Sequence, residues 1–277
     1  MDFATTKKPF ILKKYTTTQN VLTASNISIG YNKKSTKPLI LAEGVNFTLV
    51  PGQLTAIIGP NGSGKSTLLN TLSGQLAPID GTILIDNQPL AEVSHFIQSK
   101  YLALVLTKKE FSQHLSVFEF VRLGRIPYTN WLGSLGPDDH HAVARAIEST
   151  QLTELLNQKC GTLSDGQMQR VAIARALAQD TPIILLDEPT THLDLVHKAQ
   201  TLRLLKNMAQ HHNKAIAFST HDIELALDLA DQMICVTERT ITMGSPDELI
   251  DNGVMDKIFQ SDLVRFDRKS KRFSITD

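Results

Sequence analysis

The chain predicts an α/β protein built on a parallel sheet. Three observations carry that expectation. A short apolar, β-branched run, Leu54–Ile58, enters a glycine-rich loop and then a helical pattern. A second, continuous apolar run, Pro182–Leu186, ends in Asp187 and Glu188. Helical and strand patterns alternate around both. Continuous apolar runs read as strands covered on both faces, as a parallel sheet between helices requires.

Taken in order, residues 1–22 carry lysines but lack an apolar stretch followed by a small-residue cleavage site, so they are expected to form an N-terminal extension. Asn26 to Val50 reads as a β-rich edge, and a Pro51-Gly52 turn leads into the strand Leu54–Ile58. A helical insertion is expected from about Lys100 to Cys160, with Ser116 and Glu119 as a capping box and Gly124 ending a short helix. The amphipathic stretch Asp194 to His211 and the strand Ala215–Ser219 return to the core. Ser245 and Glu248 form another capping box, with Asn252-Gly253 as the stop. Leu263–Asp267 and Arg272–Thr276 are expected to pair as a small hairpin in a C-terminal tail of residues 246–277. The main domain then covers residues 23–245.

Composition narrows the function classes. Of 277 residues, 42% are hydrophobic, enough for one sizeable core with a subdomain. Lys plus Arg equals Asp plus Glu at 28 each, so nucleic acid is not expected as a partner. The two cysteines, Cys160 and Cys235, have neither metal spacing nor a disulfide framework, and an intracellular setting is expected. No apolar run approaches the roughly 20 residues that span a bilayer, so the chain is not expected to be a pore. His140, His141, His211 and His212 come as adjacent pairs, which on a helix do not face each other and read as solvated surface.

The chemistry lies in three motifs. Gly59 to Thr67, GPNGSGKST, fits the phosphate-binding pattern Gly-x-x-x-x-Gly-Lys-Ser/Thr at every fixed position. Gly59, Gly62 and Gly64 allow positive φ and let amides reach phosphate oxygens. Lys65 supplies a point charge to the β and γ phosphates, Ser66 a hydroxyl ligand for Mg²⁺, and the following helix its positive end. At the end of the second apolar run, Asp187 is placed to hold Mg²⁺ through water and Glu188 to orient and deprotonate an attacking water. Ser164, a helix N-cap followed by Gly166, makes a further anion site that the phosphate loop leaves without a ligand of its own, which suggests a site completed in trans.

These motifs resemble those of the ATP-binding subunits of ABC transporters. The resemblance makes GPNGSGKST the Walker A loop, Pro60, Asn61, Ser63 and Thr67 included. It makes Leu163–Arg170 the signature motif, with Ser164, Gly166 and Gln167 facing nucleotide. Glu188 becomes the catalytic base of the Walker B strand, Thr191–Asp194 the D-loop, and His221, in Ser219–Asp222, the switch histidine. Tyr31 falls where the family stacks an aromatic on adenine, although a plain edge-strand aromatic would look the same. The implied fold is a P-loop NTPase of the ABC ATPase type, with an antiparallel β subdomain and a helical subdomain. The implied ligands are ATP and Mg²⁺.

A narrower resemblance lies in Leu123-Gly-Arg-x-Pro127 and Leu135–Asp139, which are similar to segments of importers of iron siderophores, haem and cobalamin. It implies a homodimer with composite ATP sites, a transmembrane permease, a solute-binding protein that delivers cargo, and a peripheral place on the cytoplasmic face of the inner membrane. A soluble ABC ATPase in cofactor assembly or repair is the other reading. Trp131 then either anchors the permease interface or packs locally. Two positions depart from the family pattern. Thr107 stands where a glutamine usually touches Mg²⁺, with Gln113 as an alternative, and Asp165 replaces a signature glycine and is expected to point away from phosphate.

Overall fold

The computed structural model describes residues 21–33, 37–106, 113–237, 239–259 and 263–275, so Thr107 and residues 1–20 of the expected extension lie outside the described residues. Its centre is the parallel sheet. Strands β3 (Leu54–Ile58), β7 (Ile183–Leu186) and β8 (Ala215–Ser219) are buried at every position, as their continuous apolar runs demand. With β6 (Leu102–Val105), β9 (Gln232–Thr237) and β10 (Thr240–Gly244) they form a sheet in the order β10-β9-β3-β8-β7-β6, parallel except for β10.

Alternate side chains of these strands feed two different cores. Leu54, Ala56, Ile58, Ile184 and Leu186 face one cluster, while Ile57, Ile183 and Leu185 face the other, the period of two expected of extended chain. The first cluster takes in helices α5 (Asp165–Ala178) and α6 (Leu195–His211). The second takes in α1 (Lys65–Leu72) and an antiparallel sheet, order β2-β1-β4-β5, made of β1 (Leu22–Tyr31), β2 (Leu39–Leu49), β4 (Asp80–Ile85) and β5 (Gln88–Pro89). The expected β-rich edge thus exists, but it starts at Leu22 and recruits β4 and β5 from beyond the phosphate loop.

The expected helical insertion begins too early at Lys100. That residue sits in α2 (His95–Tyr101), and Leu102–Val105 is an edge strand of the parallel sheet, paired with β7 and burying Ala103 and Val105. The helical region proper holds α3 (Val117–Arg122), a 3₁₀ turn at Leu123–Tyr128, and α4 (Pro137–Ser149), with α3 and α4 both packed on α5. The capping box at Ser116 is present: Glu119 Oε2 accepts from Ser116 N at 2.7 Å. The helix does not end at Gly124 but tightens into the 3₁₀ turn at Leu123.

Near the C-terminus, α7 (Ile223–Leu229) follows β8, and the Ser245 capping box starts α8 (Pro246–Asp251). Gly253, at φ 69°, separates it from α9 (Val254–Lys257). The expected hairpin is β11 (Val264–Asp267) against β12 (Arg272–Ile275). Phe273 sits edge-on to Phe259 with centroids 5.1 Å apart, and its amide donates to Glu224 Oε1 at 3.1 Å, which docks the hairpin on α7. Among the described residues no helix is long and apolar enough to cross a membrane.

Candidate functional site

The site lies at the C-terminal ends of β3, β7 and β8, three adjacent strands, where an open α/β sheet offers a crevice. Gly59 follows β3 at φ 153°, and a Cβ there would stand 2.1 Å from the Val236 carbonyl oxygen and 2.7 Å from Ser63 Oγ. Only glycine fits. Gly64, at φ 108°, precedes α1 and offers no side-chain cap, so the amides of the first turn keep their donors for a ligand.

Lys65 is buried, and its Nζ donates to the Gly59 and Pro60 carbonyls at 2.9 and 3.0 Å. Burial pushes its pKa down, while the charges of Glu188 and Asp187 push it up and offset part of the shift. Ser63 Oγ is buried and has no hydrogen-bond partner among the described residues. A buried hydroxyl left unsatisfied, a cation folded onto loop carbonyls and a turn of uncapped amides fit a phosphate chain. Ser66 and Asp187 offer a hydroxyl and a carboxylate, the hard oxygen donors that suit Mg²⁺.

The acids are held from β8. Ser219, the last residue of that strand, donates its Oγ–H to Asp187 Oδ1 at 2.7 Å and accepts from the Glu188 amide at 2.9 Å. Glu188 itself has φ 43°, a left-handed conformation unusual for a non-glycine residue. Its Oε2 accepts from Thr191 Oγ1 at 2.9 Å and lies 3.9 Å from His221 Nδ1. Thus the structure brings Lys65, Asp187, Glu188 and His221 to one crevice. The sequence places Thr191 in the D-loop and Ser219 beside the switch histidine, but gives neither a role in holding the acids. The signal for Ser219 was a hydroxyl closing an otherwise apolar strand.

The remaining expected residues fall into separate groups. Tyr31, the last residue of β1, is 43% exposed, and its hydroxyl lies 2.7 Å from Thr67 Oγ1, which sets the ring beside the start of α1. Asn61 and Gly62 are exposed on the loop. Ser164 caps α5, accepting from the Gln167 amide at 3.3 Å, and Gln167 Oε1 accepts from the Ser164 amide at 2.9 Å. Gly166 faces His197 and Leu193, and Asp194 caps α6, accepting from the His197 amide at 2.8 Å. Among the described residues neither Ser164 nor Gly166 hydrogen-bonds to the phosphate loop.

Asp165 is exposed. The backbone carbonyl of Gln113, the alternative to Thr107, accepts from the Gly161 amide at 3.0 Å, which pins its main chain beside the approach to α5. Trp131 is 91% exposed, which excludes the local packing reading. The four paired histidines are all exposed, and no group of three metal-ligating side chains occurs among the described residues.

Comparison with known proteins accords with this geometry. A family profile described as ABC transporter matches residues 42–191. The achromobactin transport ATP-binding protein CbrD of Dickeya dadantii is 34% identical over 242 residues, covering 87% of this chain and 88% of that protein. The iron(3+)-hydroxamate import ATP-binding protein FhuC of Bacillus subtilis is 32% identical over 260 residues, covering 93% of this chain and 95% of that protein. Among solved structures, the dimeric ATP-binding cassette MJ0796 in a post-hydrolysis state, bound to ADP and Pi, superposes with a TM-score of 0.69 at 28% identity, covering 81% of this chain and 98% of that one.

Proposed function

Because this chain belongs to the ABC transporter family as an ATP-binding, ATP-hydrolysing subunit, we propose that it energises an importer for a metal chelate, an iron siderophore, haem or cobalamin. The observation that carries the catalytic part is the crevice in which Glu188 Oε2, fixed by Thr191, lies 3.9 Å from His221 at the mouth of the phosphate loop. The cargo class is supported by the achromobactin transport and iron(3+)-hydroxamate import functions in the names of the relatives.

In this mechanism the amides of Gly59 to Thr67 and the Lys65 ammonium bind the β and γ phosphates of ATP, and Tyr31 stacks on the adenine. Ser66 and Asp187, together with Thr107, would hold Mg²⁺, which when bound would neutralise charge on the phosphate oxygens. Glu188 orients the attacking water and takes its proton, and His221 donates to the γ-phosphate. Two copies close head to tail, each offering Ser164, Gly166, Gln167 and Asp194 to the nucleotide of the other. Loss of the γ-phosphate charge reopens the pair, and a permease converts that motion into transport. The subunit lies peripherally on the cytoplasmic face of the membrane, with a solute-binding protein supplying cargo from the far side. The exposed Trp131 supplies an aromatic anchor for the permease.

The test is purification of tagged protein from gently solubilised native membranes, with mass spectrometry of stoichiometric partners. A polytopic permease is expected. Purely soluble partners would overturn the transport reading. In parallel, Glu188→Gln is expected to retain ATP-bound dimers and lose hydrolysis, and unchanged turnover would remove Glu188 from the role of base.

A further inference from the structure

Asp222, the residue after His221, is the meeting point of three segments that approach the site from different elements. Its Oδ2 accepts from Thr190 Oγ1 at 3.0 Å, and Thr190 belongs to the turn that carries Glu188. Its Oδ1 accepts from Lys198 Nζ at 2.7 Å, and Lys198 stands in the first turn of α6, its amide bonded to the carbonyl of the cap residue Asp194. Its own amide donates to Thr220 Oγ1 at 3.0 Å. Thr190 and Thr220 are buried, at 1% and 0% exposure, and the Lys198 and Asp222 side chains are only 19% and 16% exposed.

We propose that Asp222 is a positioning residue for ATP hydrolysis, which locks the turn bearing Glu188 and the helix capped by Asp194 to the turn bearing His221. The reasoning is geometric. Glu188 and His221 come from two different strands, and the contact between their side chains is long, at 3.9 Å. That pair cannot hold itself in register. The Thr190–Asp222 bond lies two residues beyond Glu188 and one beyond His221, so it sets the separation of the two backbones. The Lys198 ammonium satisfies the second carboxylate oxygen, so the carboxylate is engaged from both sides. Because Lys198 lies one helical turn from Asp194, a shift of the α6 cap passes directly to the histidine turn.

This inference rests on the proposed hydrolytic reading of the site, and its test separates the two. Steady-state hydrolysis and nucleotide affinity would be measured for the wild-type chain and for Asp222→Ala, Thr190→Val, the double variant and Glu188→Gln. Displacing two reacting groups by about an ångström costs on the order of 100-fold in rate, so Asp222→Ala is expected to lower kcat by about 10- to 100-fold. KM and nucleotide affinity should change by less than about twofold, because among the described residues Asp222 forms no hydrogen bond or ion pair with the phosphate loop. Thr190→Val should lower kcat in the wild-type background and add nothing to Asp222→Ala, the non-additivity of groups that act as one unit. Asp222→Asn, which keeps an acceptor for Thr190 while losing the charge for Lys198, is expected to fall between. It also carries the test, together with Thr190→Val, if the alanine variant does not fold. Wild-type kcat in Asp222→Ala or Asp222→Asn, or independent effects of the two single changes, would overturn the inference alone. A wild-type chain without hydrolysis would overturn the functional reading and this inference together.

Discussion

Arg125 and Asp139 form a buried ion pair, with Arg125 Nε and Nη2 at 2.8 and 2.7 Å from Asp139 Oδ1. Arg125 Nη1 also donates to the Ala178 carbonyl at 2.8 Å, and its guanidinium lies 3.9 Å from the centre of the Tyr128 ring. Asp139 uses its other oxygen to accept from the Gly136 amide at 2.8 Å and so caps α4. Next to it, a Cβ on Gly124 would stand 2.3 Å from the Arg175 carbonyl oxygen. The two stretches that resemble chelate importers, Leu123–Pro127 and Leu135–Asp139, therefore meet each other. They fix the 3₁₀ turn and α4 against the end of α5.

Burial alone would raise the pKa of Asp139, but the Gly136 amide and the Arg125 guanidinium more than reverse that and hold it below the ordinary carboxylate range. Removing one partner of such a pair leaves a buried charge uncompensated, so Arg125→Ala is expected to cost about 3–5 kcal/mol in urea unfolding. Arg125→Lys keeps the charge but not the fork that reaches Asp139 and Ala178 together, and should recover only part of it. A loss below about 1 kcal/mol for the alanine variant would show that the pair contributes little.

Ser219 joins the two acids through one hydroxyl, and its side chain is fully buried. Ser219→Ala takes the acceptor away from the Glu188 amide and a donor away from Asp187. The expected cost is about 1–3 kcal/mol of stability, together with a fall in kcat of about tenfold as the Glu188 turn loosens. Hydrolysis at the wild-type rate, measured alongside unfolding, would show that Glu188 holds its strained turn without help.

The phosphate loop, the paired acids and His221 were legible in the sequence because each is a local pattern tied to the end of one apolar run. The roles of Ser219, Thr190 and Asp222 depend on β8 lying between β3 and β7, a neighbour relationship that no local window contains. The strand Leu102–Val105 falls inside the expected helical insertion because a four-residue apolar run has no period to distinguish strand from helix. β4 is equally illegible, since only Ile83–Ile85 of it is apolar, although it completes the sheet that carries Tyr31. The C-terminal hairpin showed in its own alternation. Its bond to Glu224 did not, since that contact spans 49 residues.

Two glycines of the phosphate loop separate close approach from backbone conformation. Gly62 has φ 79° and open space around a built Cβ, so Gly62→Ala pays only for the left-handed backbone, about 1 kcal/mol. Gly59→Ala adds a collision with the Val236 carbonyl and should cost more than about 2 kcal/mol. Urea unfolding without nucleotide compares them directly, and equal costs would contradict the contact between the loop and β9.

Cys235 offers a titration that runs against folding at high pH. It is buried in β9 beside Ile234 and Val236, and burial pushes its thiol from 9.0 up to about 12. In the unfolded chain the thiol ionises near its ordinary value, so between the two pKa values the folded state holds the extra proton. The unfolded state binds fewer protons there, and stability must fall as pH rises, by about 1.4 kcal/mol per pH unit for this one group. Raising the pH from 8 to 10 under reducing conditions is expected to cost the wild-type chain about 1–1.5 kcal/mol more than Cys235→Ala, the difference cancelling the other groups that titrate in the same range. Peptide mapping after iodoacetamide treatment at pH 8 should find Cys235 unmodified in the folded chain and modified in urea. Equal pH dependence in the two chains, or rapid alkylation of the folded one, would mean that β9 opens to solvent far more readily than its burial allows.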